Sequence, residues 1–141
     1  MSALSHLDLT HREKQTLTEL SQATRYPIVR FELHSDAQPE LVSIALNHVR
    51  IVEENDTMEL VKERGEALRH LMELGFVRLD YDINVWGASD YKVYYRSELY
   101  EKFCHLVMEG AKRPDFLFDL AVLRKGRASL TKRGVKALAL C

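Results

Sequence analysis

The chain has 141 residues, of which 46% are hydrophobic and 29% charged, and this composition fits one globular domain with its own core. No apolar stretch approaches the ~18 residues of a membrane-spanning helix, and the polar residues 1–10 lack the apolar core of a signal peptide. The only cysteines, Cys104 and Cys141, predict no structural disulfide, so we expect a cytoplasmic protein that does not enter a membrane.

The net charge of −1 conceals two regions of opposite sign. Residues 112–141 contain eight Lys or Arg and two Asp, a net charge of +6, which leaves −7 on residues 1–111. A basic segment on an acidic body is typical of a site that attracts nucleic acid. It also occurs as a solvated face without an anionic partner, and both interpretations stay open at this point.

The first two predicted elements are a helix and a strand. Thr10 and Glu13 have the spacing of a capping box, so a helix should begin there and extend to about residue 23. Tyr26 precedes a proline, which disfavours continuation of the helix. Residues 28–33 then alternate between apolar and polar side chains, and this alternation predicts a short strand.

Two further helices are predicted before residue 75. Apolar residues at helical spacing favour a helix over residues 41–49. Asp56 and Glu59 form a second capping box, which begins a clearly amphipathic helix over residues 57–74. Gly75 lies where this helix needs a left-handed C-terminal cap.

A hairpin and a helix are predicted in the middle of the chain. Residues 76–85 favour a strand, residues 86–90 have the composition of a turn, and residues 91–96 favour a second strand. Residues 97–110 then predict a helix that ends at a glycine.

The last part of the chain predicts short elements and a final helix. Residues 116–123 are apolar and fit either a strand or a helical turn, and residues 124–127 predict a tight basic turn. Residues 128–130 predict a short strand, after which Thr131 caps a helix that extends to about residue 140.

Two strings within these elements resemble parts of the winged-helix domain. Residues 68–77, Leu-x-x-Leu-x-x-Leu-Gly-Phe-Val, are similar to the end of a recognition helix and its exit into the first wing strand. Residues 130–138, Leu-Thr-Lys-Arg-Gly-Val-Lys-Ala-Leu, are similar to the start of the helix after the wing in bacterial regulators, including the multiple-antibiotic-resistance type. The resemblance covers residues 10–81 and 126–140, and it makes residues 82–125 an insertion in or beside the wing.

The resemblance implies an α+β, winged-helix-like fold in a single domain over residues 1–141. Helices would pack on a small antiparallel sheet, with an inserted hairpin and helix. The predicted order of helix, strand, helix, helix, strand, wing and strand is that of the family.

The function that the resemblance implies is a DNA-binding transcription regulator that acts as a dimer. In such domains the second of the paired helices enters the major groove, which here is the helix over residues 57–74. Four glutamates share this helix, so its cations could instead form salt bridges on a solvated face, and residues 124–127 would then make the main contact. The predicted contacts to double-stranded DNA are Lys62, Arg64, Arg69, His70, Arg124, Lys125, Arg127, Lys132 and Arg133.

Aromatic residues are concentrated in and beside the insertion and suggest an alternative function. They could cover the hairpin against the following helix, form a homodimer or docking surface, or stack on a ligand or base. A docking surface would make the protein a non-catalytic protein–protein interaction module on the same fold. These aromatic residues are Tyr81, Trp86, Tyr91, Tyr94, Tyr95, Tyr100 and Phe103.

No sequence pattern indicates catalysis, a cofactor or a metal. The six histidines include no pair at i, i+4 and the chain has no Cys-x-x-Cys, which disfavours zinc. Neither a Gly-rich phosphate loop nor a nucleophile elbow is present. Asp80, Asp82 and Asp90 could together hold magnesium or calcium, although a polar strand and turn that face solvent is the simpler interpretation. We therefore expect a protein that is not an enzyme.

Overall fold

An antiparallel sheet of four strands with helices on both faces makes up the computed structural model, which describes residues 8–81 and 88–140. Its elements are α1 (His11–Gln22), β1 (Pro27–His34), β2 (Val42–Val49), α2 (Met58–Glu73), β3 (Val77–Asp80), α3 (Lys92–Arg96), α4 (Glu98–Ala111), β4 (Leu120–Leu130) and α5 (Lys132–Ala139). The strands lie in the order β2–β1–β4–β3. The predicted α+β class, with helices on a small antiparallel sheet, is confirmed.

Local signals in the sequence correctly locate the ends of three helices. The Thr10 hydroxyl accepts a hydrogen bond from the Glu13 amide at 3.1 Å, and the Glu13 carboxylate accepts one from the Thr10 amide at 2.8 Å. Thr131 caps α5 by accepting from the Gly134 amide at 3.0 Å. Gly75 has a φ of 80°, so it is the predicted left-handed residue after α2.

The cap of α2 lies one residue later than predicted. The Thr57 side chain accepts from the Leu60 amide at 3.2 Å and begins the helix. Asp56 instead accepts hydrogen bonds from the amides of Val52 at 2.8 Å and Glu53 at 3.1 Å. Asp56 therefore closes the loop before the helix.

Val42–Val49 form strand β2, where a helix was predicted over residues 41–49. β2 pairs with β1 through two register shifts, so that Ile44 lies opposite Glu32 whereas Leu46 lies opposite Phe31. These bulges interrupt the alternation of a regular strand, and the apolar residues consequently fall at helical spacing. The winged-helix resemblance predicts that this segment is the first of the paired helices. In the structure, α2 instead follows strand β2 and a loop.

The predicted second strand of the hairpin is the helix α3. Tyr91 and Tyr94 are both fully buried, and their spacing by three residues brings them to one face of a helix. The Tyr91 hydroxyl donates to the Gly126 carbonyl at 2.7 Å, and the Tyr94 hydroxyl donates to the Pro27 carbonyl at 2.6 Å. Val77–Asp80 of the predicted first strand form β3, which pairs with β4 and not with residues 91–96, and residues 82–87 lie outside the described residues.

The predicted basic turn at residues 124–127 is the middle of the uninterrupted strand β4. The sequence pattern predicts a turn at Gly126, whereas in the structure this glycine allows close packing within β4. A Cβ atom at this position would lie 2.6 Å from the Asp80 carbonyl oxygen and 2.7 Å from a ring carbon of Tyr81. Gly126 therefore allows the chain after β3 to lie directly on the sheet.

The sheet separates two apolar clusters. One cluster joins α1, α2 and α5 to the sheet through Leu17, Ile28, Leu68, Leu71, Phe76 and Ala137. The other lies under α3 and α4 and includes Val29, Phe31, Tyr91, Tyr94, Phe103 and Leu123. Among the described helices, none combines the length and the apolar character that crossing a lipid bilayer would require.

Candidate interaction surfaces

Arg64 of α2 has a structural role. Its guanidinium donates to the Asp56 carboxylate at 2.6 Å and to the Arg50 carbonyl at 3.0 Å, and only 16% of its side chain is exposed. Burial alone would raise the pKa of Asp56, but the hydrogen bonds from Arg64 and from the Val52 and Glu53 amides outweigh burial and lower it. Arg64 therefore stabilises the loop before α2.

The other cations of α2 differ in their surroundings. Arg69 lies between Glu66 and Glu73 and forms ion pairs with both. Its hydrogen bond lowers the pKa of Glu66, so the predicted salt bridging along this helix is confirmed for Arg69. Lys62 is exposed, and no ion pair joins it to another residue in the described part of the chain.

His70 connects α2 to α1. Its Nδ1 contacts a carboxylate oxygen of Glu13, the same residue that completes the capping box with Thr10. Because Glu13 is buried, this contact satisfies a carboxylate inside the helix pair. His70 is therefore part of the packing between α1 and α2.

Arg124 lies on one face of the sheet beside a buried carboxylate. Its Nε donates to Glu32 at 2.9 Å, while His34 Nε2 lies 2.8 Å from Glu32 and an Arg30 nitrogen lies 3.7 Å from it. Burial would raise the pKa of Glu32, but the hydrogen bonds from His34 and Arg124 outweigh burial and lower it. Arg124 thus balances the charge of Glu32.

A second polar group continues this cluster and was not predicted from the sequence. The Arg30 guanidinium lies 4.1 Å above the centroid of the Tyr81 ring, and the Tyr81 hydroxyl lies 2.8 Å from His48 Nδ1. Burial, together with the charges of Arg30 and Arg69, lowers the pKa of His48 to about 4. His48 has a φ of 51°, a conformation that the bulge in β2 imposes. The cluster is a set of internal contacts across the sheet.

Lys125 lies on the opposite face of β4 from Arg124, because successive residues of a strand alternate between faces. Its Nζ lies 5.5 Å from the centroid of the Tyr91 ring and 5.7 Å from that of Tyr95. Burial raises the pKa of the Tyr91 hydroxyl, and the charge of Arg127 opposes this rise. The predicted basic turn therefore does not present its cations to one surface.

The last two predicted contacts lie on α5. Lys132 and Arg133 are both exposed, and Arg133 also donates from Nε to the Leu74 carbonyl at 3.1 Å. Lys136 is exposed on the same helix, and α5 contains no acidic residue. The predicted DNA contacts are thus distributed over α2, both faces of β4, and α5, where the cations have no carboxylate neighbour within their own helix.

An apolar groove lies between the sheet and α4, and we call it the α4 groove. Its volume is about 340 Å³, and it is lined mainly by Leu33 and Ala45 of the sheet, by Phe103, Leu106 and Val107 of α4, and by Phe116. Leu106 is 72% exposed, and Leu117, the neighbour of Phe116 in the chain, is 65% exposed. Large apolar side chains grouped at a surface mark interaction sites more often than scattered ones do.

Gly110 determines how the groove is built. A Cβ atom at this position would lie 2.8 Å from two carbons of the Phe116 ring, closer than packed atoms allow. The Arg113 amide donates to the Gly110 carbonyl at 2.9 Å and turns the chain back after α4. Phe116 therefore packs on the helix backbone and forms one wall of the α4 groove.

Three of the aromatic residues predicted as a possible docking surface pack inside the molecule. Tyr91 and Tyr94 are fully buried, and Phe103 is 8% exposed. Tyr95 is 45% exposed, whereas Trp86 lies outside the described residues. Tyr91, Tyr94 and Phe103 therefore pack between the sheet and the helices α3 and α4, and not between the predicted hairpin and the helix that follows it.

The described residues contain no group of three or more His, Cys, Asp or Glu side chains that could hold a metal ion. Two of the carboxylates considered for magnesium or calcium have arginine neighbours instead. Asp80 lies 3.5 Å from Arg78, and Asp90 lies 3.2 Å from Arg25. Asp82 lies outside the described residues.

Comparison with known proteins supports the fold alone. No protein-family model matches the chain, and no curated protein matches it. A solved structure of an uncharacterised protein from the hydrocarbon-degrading marine bacterium Alcanivorax borkumensis SK2 is similar, with a TM-score of 0.50 over 96% of this chain and 88% of that chain. The two sequences are 14% identical, so the similarity concerns the fold, and the winged-helix resemblance stays a prediction.

Proposed function

We propose that this protein is a non-catalytic protein–protein interaction module and that the α4 groove binds its partner. The observation that carries the proposal is the exposure of Leu106, 72%, beside a preformed apolar groove. Removal of a leucine side chain from water stabilises a complex by roughly 1.5–3 kcal/mol. A partner that covers Leu106 would therefore gain this free energy on binding.

The groove suits an amphipathic segment of another protein. A volume of about 340 Å³ accommodates one or two large apolar side chains, and such anchors dominate the energetics of many interfaces. Glu109 and Arg113 also line the groove, so polar flanks of a partner segment would meet both signs of charge. A helix with apolar residues at i and i+3 or i+4 has this pattern of anchors and flanks.

The open edge of β2 is less suited to binding than the groove. β2 lies at the end of the sheet and would otherwise be available for the addition of a strand. Its two register shifts interrupt the edge, and bulges of this kind protect edge strands from pairing. We therefore expect a partner to contact the side chains of α4 and not to extend the sheet.

A selection of displayed random peptides tests the proposal. We expect selected peptides to contain apolar residues at i and i+3 or i+4, and Leu106→Asp to weaken their binding at least tenfold. Leu140→Asp is the matched control, because Leu140 is 52% exposed and lies after α5. Peptides that bind both variants equally, or a selection without enrichment, would contradict the proposal.

A second copy of the chain is the other partner to test. The sequence predicted a homodimer through the aromatic insertion, but Tyr91 and Tyr94 are buried within the chain. For a homodimer we propose the α4 groove as the contact surface. Sedimentation velocity distinguishes the two cases. A dimer that Leu106→Asp converts to monomers would identify a second copy as the occupant of the groove. A monomer would show that the partner in the groove is a different protein.

DNA binding, and with it transcription regulation, is a second candidate function. The observation in its favour is the solvent-exposed set of Lys132, Arg133 and Lys136 on a helix without acidic residues. Such a face can contact phosphates without a specific base contact. If DNA binds, we expect α5 and not α2 to contact it, since Arg64 and Arg69 of α2 pair with carboxylates of the same chain.

Fluorescence anisotropy with a labelled random duplex at two salt concentrations tests this second candidate. Binding that weakens steeply with salt, and that is lost in Lys132→Glu with Lys136→Glu, would support it. Lys102→Glu is the control, because Lys102 is equally exposed on α4. An absence of binding at low salt would exclude DNA as the partner.

A further inference from the structure

A second cavity lies at the opposite end of β1 from the α4 groove, where the loop after α1 meets β3 and β4. Its volume is about 390 Å³, and we call it the arginine cavity because Arg25, Arg78 and Arg127 line it. The hydroxyl-bearing residues Thr24 and Ser129 line it as well. A volume above 300 Å³ is in the range of small-molecule binding sites.

The strand register brings the charged side chains of this cavity together. Arg78 of β3 lies opposite Ser129 of β4, and Asp80 lies opposite Arg127. Residues opposite each other, and residues two apart on one strand, project from the same face of a sheet. Arg25 reaches the site from the loop before β1, so three different elements of the fold contribute a guanidinium.

A contact within the chain holds one of the arginines in position. Arg25 lies 3.2 Å from the Asp90 carboxylate. A ligand that binds Arg25 therefore does not have to order its side chain, which reduces the entropy that binding loses. Arg127 follows Gly126 in β4, and the Gly126 carbonyl accepts a hydrogen bond from the Tyr91 hydroxyl at 2.7 Å.

The third arginine is the more adaptable one. The Arg78 side chain is 73% exposed, and its guanidinium lies 3.5 Å from Asp80. This distance exceeds that of a normal charge-assisted hydrogen bond, so Arg78 can turn toward an anion in the cavity without breaking a short contact.

The balance of charge favours an anion. Among the described residues, three guanidinium groups and the Asp80 carboxylate line the cavity, and Asp90 lies beside Arg25. The planar fork of a guanidinium matches the oxygens of a phosphate group and donates two parallel hydrogen bonds to it. We propose that the arginine cavity binds the phosphate group of a small phosphorylated ligand, independently of any protein bound in the α4 groove.

Two-dimensional NMR of the backbone amides tests this proposal, with inorganic phosphate and glycerol 3-phosphate as probes. We expect saturable shifts at residues 24–26, 78–80 and 127–129, measured against potassium chloride at the same ionic strength. Arg78→Gln should weaken binding of both probes at least tenfold. Arg96→Gln, which changes an exposed arginine outside the cavity, should change the affinity for both probes by less than a factor of two.

The same titration gives the results that would overturn the proposal. Shifts no larger than those with chloride would show that the cavity has no phosphate site. Equal loss of binding in Arg78→Gln and Arg96→Gln would show nonspecific attraction. A duplex DNA arm separates the sources of phosphate: shifts at these residues with DNA alone, and none with either small probe, would assign the cavity to nucleic acid and refute a small-ligand site.

Discussion

Two arginines of helix α2 already have partners within the chain, whereas a large apolar side chain of helix α4 remains exposed. Arg64 and Arg69 of α2 both form ion pairs with carboxylates of the same chain. On α4, Leu106 is 72% exposed at the edge of an apolar groove. Arg64 is mostly buried in its ion pair and Arg69 lies between two carboxylates, so neither gains much from an anionic partner, whereas the exposed Leu106 gains when a partner covers it. The comparison favours α4 as the interaction surface.

Substitution of Arg64 should give the largest effect and should show that this arginine of α2 is structural. Arg64→Ala leaves the Asp56 carboxylate, whose side chain is 6% exposed, without its cation. We expect a loss of about 3 kcal/mol in the free energy of unfolding, because a buried charge without its partner is strongly destabilising. Urea unfolding measures this loss.

Arg69→Ala is the control on the same helix. Arg69 and its two glutamate partners lie at the surface, so solvent screens their interaction. We expect a much smaller change than for Arg64→Ala. Equal losses in the two variants would refute the distinction between a structural and a surface arginine.

Acidification should lower the stability of the protein through His48, a residue of β2 that lies against Gly65 of α2. The pKa of His48 is lowered to about 4 in the folded chain, whereas an unfolded histidine titrates near pH 6.5. Between these values the unfolded chain binds more protons, so stability falls as the pH decreases from about 6.5 to 4, by roughly 2.5 kcal/mol.

His48→Asn provides the check on this pH dependence. Asparagine tolerates the φ of 51° at this position and does not titrate. Denaturant unfolding at several pH values should give a flatter profile for the variant across this window. Profiles with the same slope would show that His48 does not cause the loss.

Gly110→Ala should have the smallest effect on stability and should act on the α4 side. The added methyl group would lie 2.8 Å from the Phe116 ring, so the ring must move away from the helix. We expect a loss of about 1 kcal/mol, which is typical of overpacking, together with weaker binding of any selected peptide. Thermal unfolding and peptide titration measure the two effects. Unchanged peptide affinity would show that the Phe116 wall is not needed.

Local sequence signals predicted the helix ends well. Thr10 with Glu13, Gly75 and Thr131 each act through neighbours within a few residues, and the structure confirms all of them. The error at residues 41–49 has a physical cause, because bulges removed the regular alternation that identifies a strand. At Gly126, the sequence could not distinguish a turn from close packing of Tyr81.

The α4 groove and the ion pairs on the sheet depend on contacts between residues that are not neighbours at a recognisable spacing in the sequence. The α4 groove forms because the chain turns back after Gly110 and brings Phe116 against the helix. An available signal was the position of Leu106, an apolar residue beside the buried positions 103 and 107 of an amphipathic helix. Arg124 and Glu32 are 92 residues apart in the chain, so their pairing could not be inferred from spacing.

Backbone amide NMR during titration with a selected peptide tests most directly whether α4 is the interaction surface. The proposal predicts that the largest shifts fall on residues 103–110 and on Phe116, with small changes over residues 58–73 of α2. The largest shifts on α2, or on residues 132–139 of α5, would contradict it.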